Sequence, residues 1–315
     1  MNLGVKISDV VSIVDRKLDK GNDTLSGWMK LIVNILGAKQ GNDYNLMAKH
    51  CNKLSTFAPK NVWLMTKMAQ SAAQAEHYEE SINLFRQVRA LDPLSMEGME
   101  TYGLQLLDMG CADELNCLTN DVLAVDSKRY IGWLLAAMFC ELKGEHDKSK
   151  ILVEKAVDID PLPSCFWVKG RFLLSHGQNE QALIAFFQAN SLEKSLQSYS
   201  GLVQAHLALG NIKDATIAAR DAVTTMPTSS IAYTLIGQCL SRSSTSTEVI
   251  KAFTKALKID PTNTKAASYM AEFYKKQGKL HEASLCLKSI LEFPIFGSNQ
   301  TYAIRTQLAK NLGMS

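Results

Sequence analysis

The side chains in this chain of 315 residues best able to bind a metal or attack a substrate are six histidines and seven cysteines. The histidines are His50, His77, His146, His176, His206 and His281. No two of them stand in a His-x-x-x-His pair, and no Cys/His cluster has the short spacing of a zinc site. Four of them, His77, His146, His176 and His281, fall at turns, where ordinary surface or cap roles are expected. The cysteines Cys51, Cys111, Cys117, Cys140, Cys165, Cys239 and Cys286 are scattered, odd in number and without a Cys-x-x-Cys pair. That pattern suits a reducing intracellular compartment with free, mostly buried thiols, Cys111 and Cys117 among them. No phosphate-cradling glycine loop and no Gly-x-Ser-x-Gly elbow occurs. The expectation is a chain that is not an enzyme, with no cofactor, no metal and no catalytic residue. The chemistry left is recognition. Trp167, Met138 and Leu207 could grip an extended segment. Arg171, Arg242 and Lys275 could pair with a carboxylate or an acidic residue.

Such residues act together only if the elements carrying them repeat. Glycines stand at 110, 144, 177, 210 and 278, with gaps of 34, 33, 33 and 68, the last being twice 34. Ser244 fills the skipped place. Prolines stand at 59, 93, 161, 227 and 261, with gaps of 34, 68, 66 and 34. Two columns sharing one period, half a period out of phase, describe a helix–turn–helix repeat of about 34 residues, the tetratricopeptide period. The glycine suits a left-handed turn between helix A and helix B. The proline ends helix B because it cannot continue the hydrogen-bond ladder. Ser95, Ser164, Ser229 and Thr264 are the expected N-caps of the next helix A.

Small residues recur where helices must cross closely. The eighth position reads Ala69, Gly103, Ala137, Gly170, Val203, Gly237 and Ala271. The twentieth reads Ser81, Leu115, Ser149, Ala182, Ala215, Val249 and Ala283, and the twenty-seventh runs from Val88 to Ile290. The expected fold is all-α, a right-handed superhelical tetratricopeptide solenoid. Seven repeats cover 62–297, starting at 62, 96, 130, 163, 196, 230 and 264. A degenerate helical repeat covers 28–61. An amphipathic helix in 1–27 and a capping helix in 298–315 close the ends, since an end repeat has no outer neighbour. Ser241–Thr247 is expected to be a polar turn.

The register places the recognition residues on one face. The A helices line the concave side of such a solenoid, and positions 2, 5, 9 and 12 point into it. Met138, Trp167, Arg171, Gln204, Leu207, Gln238, Arg242 and Lys275 are the candidate groove, Arg242 and Lys275 just past or at its end. A two-carboxylate clamp of the co-chaperone kind needs Lys and Asn one turn apart on helix A. The pairs Thr66/Gln70, Glu100/Leu104, Leu134/Met138, Trp167/Arg171 and Ser200/Gln204 supply none.

Composition narrows the partners. With 34 basic and 31 acidic residues the net charge is +3, too small for a general nucleic-acid footprint. Residues 62–129 hold 5 basic and 11 acidic side chains, a net −6 between more basic ends. Lys6, Asp9 and Asp15 interrupt the apolar residues of the N-terminus, so no signal sequence and no membrane contact is expected.

At 84–103 the sequence reads LFRQVRALDPLSMEGMETYG. Met96-Glu97-Gly98-Met99 followed by Tyr102-Gly103 resembles the tetratricopeptide subunits of the anaphase-promoting complex, subunit 7 in particular. The likeness continues through Trp133, the ALIAFFQA stretch at 182–189 and GLVQAHLALGNIKDA at 201–215, to about residue 293. The resemblance implies a non-catalytic scaffold in a ubiquitin ligase of the cell cycle, in the nucleus and cytoplasm. Its partners would be the other tetratricopeptide subunits of that complex. In that family related subunits pair, and helices preceding this region help them do so. Only residues 1–61 precede it here, so a homodimer stays an open alternative. The second functional reading is a free-standing adaptor holding a short peptide tail in its groove.

Overall fold

The structure is a computed structural model. It describes residues 24–40, 43–75, 77–243 and 246–291. The expected helices within 1–27 and 298–315 lie outside this set, as do Ser244 and the side chain of Ile290.

The described residues form sixteen α-helices. In chain order they pair as α1 Thr24–Gln40 with α2 Tyr44–Ser55, α3 Val62–Gln74 with α4 Tyr78–Leu91, and α5 Met99–Met109 with α6 Ala112–Val125. There follow α7 Tyr130–Leu142 with α8 His146–Ile159, α9 Pro163–Ser175 with α10 Asn179–Leu192, and α11 Leu196–Ala208 with α12 Ile212–Thr225. The last pairs are α13 Ser230–Ser243 with α14 Ser246–Ile259, and α15 Thr264–Lys276 with α16 Leu280–Leu291. The chain divides into two compact units, Met1–Ser127 and Lys128–Ser315. Within each unit every helix packs on its pair partner. In the second unit the A helices α7, α9, α11, α13 and α15 also touch in succession.

The periodic residues do what the spacing predicts. Gly110, Gly144, Gly177, Gly210 and Gly278 all have φ between +71° and +77°. An added Cβ would meet nothing within 4 Å at any of them, so the conformation, not space, requires glycine. Helices α4, α8, α12 and α14 each stop two residues before Pro93, Pro161, Pro227 and Pro261. The small-residue columns are buried throughout, from Ala69 to Ala271 and from Ser81 to Ala283. Packing there is close: a Cβ on Gly201 would lie 2.3 Å from Phe186, and one on Gly170 would lie 2.8 Å from the same ring. The Phe186 ring thus fills the space between α9 and α11 that two missing side chains leave.

Local chemistry departs from expectation at several places. Only Ser229 of the four expected caps works as one, accepting from the Ala232 amide at 3.3 Å. Asn263 caps α15 in place of Thr264, and Leu162 precedes α9 with Pro163 in its first turn. Helix α5 starts at Met99 rather than 96, after Gly98 with φ +79°. Ser95 therefore stays in the connecting turn. There Glu97 turns back to pair with Lys67, whose side chain is 3% exposed. The stretch 241–247 is mostly helical, since α13 runs to Ser243 and α14 begins at Ser246. Cys117 is exposed and Cys111 half-buried, which corrects their reading as core thiols. Cys117 occupies position 22 of its repeat, on the outer side of helix B.

Candidate functional site

The A helices of the second unit carry the candidate groove. Trp167 on α9 is partly buried, and its indole N–H donates to the Gln197 carbonyl of α11 at 2.9 Å. The indole so bridges neighbouring A helices. The Arg171 guanidinium, one turn on, lies 5.6 Å from the indole centroid. This cation–π contact holds a charge beside an aromatic surface. Gln204 on α11 is exposed and its amide donates to Ser200 Oγ at 3.4 Å. Gln238 is half-buried on α13, while Arg242 and Lys275 are exposed on α13 and α15.

Met138 and Leu207 are corrections. Met138 is 0% exposed and Leu207 8%, Leu207 packing with Val203, Ala215, Ala219, Leu235 and Cys239. Apolar side chains at that register leave water against their own neighbours, so neither lines a surface. The structure thus brings together Trp167 and Arg171, and leaves Gln204, Gln238, Arg242 and Lys275 as separate polar stations on successive A helices.

A second surface emerges on the B helices. Ile151 is 68% exposed, Ile184 60% and Ile217 58%, on α8, α10 and α12. Their spacing is 184 − 151 = 33 and 217 − 184 = 33. Phe187, one turn after Ile184, is 64% exposed. Single exposed apolar residues are ordinary, but one register repeated on three consecutive B helices is a patterned surface. The sequence carried this signal in the same period as the glycines, at position 22.

One group among the described residues has the donors to hold a cation. Glu141 ends α7, His146 starts α8 and His176 follows α9. His146 Nδ1 lies 3.2 Å from Glu141 Oε2, and His176 Nε2 lies 3.0 Å from Glu141 Oε1. The two ring nitrogens are 2.9 Å apart. Chain spacing hid this set: 141, 146 and 176 match no ligand motif, and only repeat stacking joins them.

Burial pushes Cys239 up to about 12 and Cys51 up to about 11, away from the thiolate form. Among the described residues no helix is long and apolar enough to cross a membrane.

The helix pairing, the left-handed A–B turns and the small-residue columns define a tetratricopeptide-repeat solenoid. The tetratricopeptide-repeat family model matches residues 252–283. The chain is 30% identical to anaphase-promoting complex subunit 7 of Arabidopsis thaliana, over 92% of this chain and 53% of that protein. It is 29% identical to subunit 7 of Dictyostelium discoideum, over 84% of this chain and 45% of that protein. The chain therefore spans about half the length of the curated relatives it matches. Its fold is similar to a chain in the crystal structure of the APC/C hetero-tetramer Cut9–Hcn1. The TM-score is 0.73 at 15% identity, covering 98% of this chain and 64% of that one.

Proposed function

We propose that this chain is a non-catalytic scaffold of the anaphase-promoting complex, acting with its other tetratricopeptide subunits in cell-cycle ubiquitin ligation, in the nucleus and cytoplasm. The observation that carries this reading is the similarity to subunit 7, which runs through 92% of the chain instead of one repeat. Generic tetratricopeptide likeness would follow the glycine and small-residue columns alone. Two features of the structure support docking over catalysis. The exposed register of Ile151, Ile184, Phe187 and Ile217 offers apolar area to a partner. The raised Cys51 and Cys239 pKa values suit packing rather than reaction.

The test is an affinity-tagged pull-down from mitotic extract, quantified by mass spectrometry at moderate salt. The expected result is near-stoichiometric recovery of other subunits of the complex. Recovery of none, with a different partner abundant, would end this reading and leave the free-standing adaptor in its place.

A further inference from the structure

We propose that Glu141, His146 and His176 form a binding site for a divalent transition-metal ion of the zinc kind, which pins the ends of α7, α8 and α9 together. The geometry carries it. Each neutral imidazole nitrogen offers either one proton or one lone pair. If both Nδ1 of His146 and Nε2 of His176 carry protons, Glu141 is satisfied, but two N–H groups confront each other at 2.9 Å. If only one carries a proton, the other nitrogen turns a lone pair toward a carboxylate oxygen 3.0 or 3.2 Å away. No placement of protons makes all three contacts favourable. A single cation does, because the two ring nitrogens and the two oxygens of the Glu141 carboxylate then all act as donors of electron pairs to it.

The spacing agrees. Metal–nitrogen and metal–oxygen bonds of about 2.0–2.2 Å put adjacent ligand atoms about 2.8–3.1 Å apart on an octahedral edge and about 3.3–3.6 Å apart on a tetrahedral edge. The nitrogens stand 2.9 Å apart, and each lies 3.0 or 3.2 Å from its own oxygen of Glu141, nearer the octahedral spacing than the tetrahedral one. Two imidazoles with one carboxylate suit zinc and its neighbours rather than calcium or magnesium, which prefer oxygen alone. Three protein residues leave further positions for water. The His146 side chain is 54% exposed while that of Glu141 is 12% exposed, so an ion has an entry path on one side and a buried anchor on the other. The ligands come from the ends of three helices in two consecutive repeats. The turns that place both histidines are those at Gly144 and Gly177, held left-handed at φ +77° and +73°.

The test titrates Zn²⁺ into the chelator-treated full chain by calorimetry. X-ray absorption at the zinc edge then reads the ligand atoms. The expected result is one tight equivalent with nitrogen and oxygen neighbours near 2.0–2.2 Å, without the sulfur shell near 2.3 Å that cysteine binding would give. His176→Ala and Glu141→Gln should each weaken binding by at least about tenfold, a loss that even supporting residues can cause. His281→Ala, a turn histidine outside the cluster, should leave binding unchanged. A sulfur shell, absence of binding, or unchanged affinity in both cluster variants would overturn the proposal. The absorption spectrum of the unaltered chain decides the question even if a variant fails to fold.

Discussion

Glycine acts in two physical ways in this chain, and substitutions separate them. At Gly210 the backbone sits at φ +76° with open space around it, so Gly210→Ala should cost about 1–2 kcal/mol of conformational strain. At Gly201 the backbone is helical, and the new Cβ would meet Phe186 at 2.3 Å. Gly201→Ala, like Gly170→Leu, should cost about 1–3 kcal/mol through overpacking. Thermal unfolding of double variants distinguishes the causes: Phe186→Leu should relieve part of the Gly201→Ala loss and none of the Gly210→Ala loss. Equal relief of both would show that Phe186 does not fill that gap. The thiols give a second prediction at this scale. Cys117 is exposed, whereas Cys51, Cys165 and Cys239 are buried. Maleimide labelling at mildly alkaline pH, followed by mass spectrometry, should modify Cys117 first and Cys239 only on unfolding. Comparable rates at the two sites would mean that α13 does not pack as described.

Between elements, one polar network ties three helices of the first unit. Arg86 on α4 donates to both carboxylate oxygens of Glu114 on α6, at 2.9 and 2.7 Å, and Tyr102 on α5 donates its hydroxyl to the same group. The guanidinium holds the Glu114 carboxyl below its usual value of 4.5, and burial with the Glu114 hydrogen bond raises the Tyr102 hydroxyl. A lowered folded-state pKa means that the carboxylate stabilises the fold above the unfolded value and that this stability is lost as pH falls through the folded one. Glu114→Gln should therefore cost most stability above about pH 4.5 and progressively less in acid. Denaturant unfolding at several pH values reads this; a pH-independent difference would show that the network contributes no charge-dependent stability. The same scale accounts for one misplaced cap. Asn263 can accept from the Ala266 amide at 2.9 Å while its amide donates to Thr234 at 3.2 Å, a double role that Thr264 cannot fill.

For the whole molecule, the expected interaction surface shifts from a continuous groove to two distinct features, the Trp167–Arg171 pair on the A helices and the aliphatic register on the B helices. Replacing Ile151, Ile184 and Ile217 by Ser should leave helix content unchanged, since all three are mostly exposed. If the B-helix face docks, the triple variant should recover at least about tenfold less of the complex in the pull-down, as when central apolar anchors are lost. Undiminished recovery would move docking to another face. Trp167→Ala with Arg171→Ala tests the alternative, and a selective loss there would favour the groove.

The periodic features were legible in the sequence because each repeat solves the same local problem. A left-handed turn needs glycine, a helix stop tolerates proline, and a close crossing needs a small side chain, so these positions recur in the chain as they do in space. The start of α5 was not legible, because Gly98 and the Lys67–Glu97 pair involve residues 30 apart. Burial of Met138 and Leu207 was also settled only by packing, since their register allows either the groove or a neighbouring helix. The Glu141, His146 and His176 cluster depends on tertiary structure for the same reason. Each residue reads alone as an ordinary helix-end side chain, and only stacking one repeat on the next brings three lone-pair donors to one point.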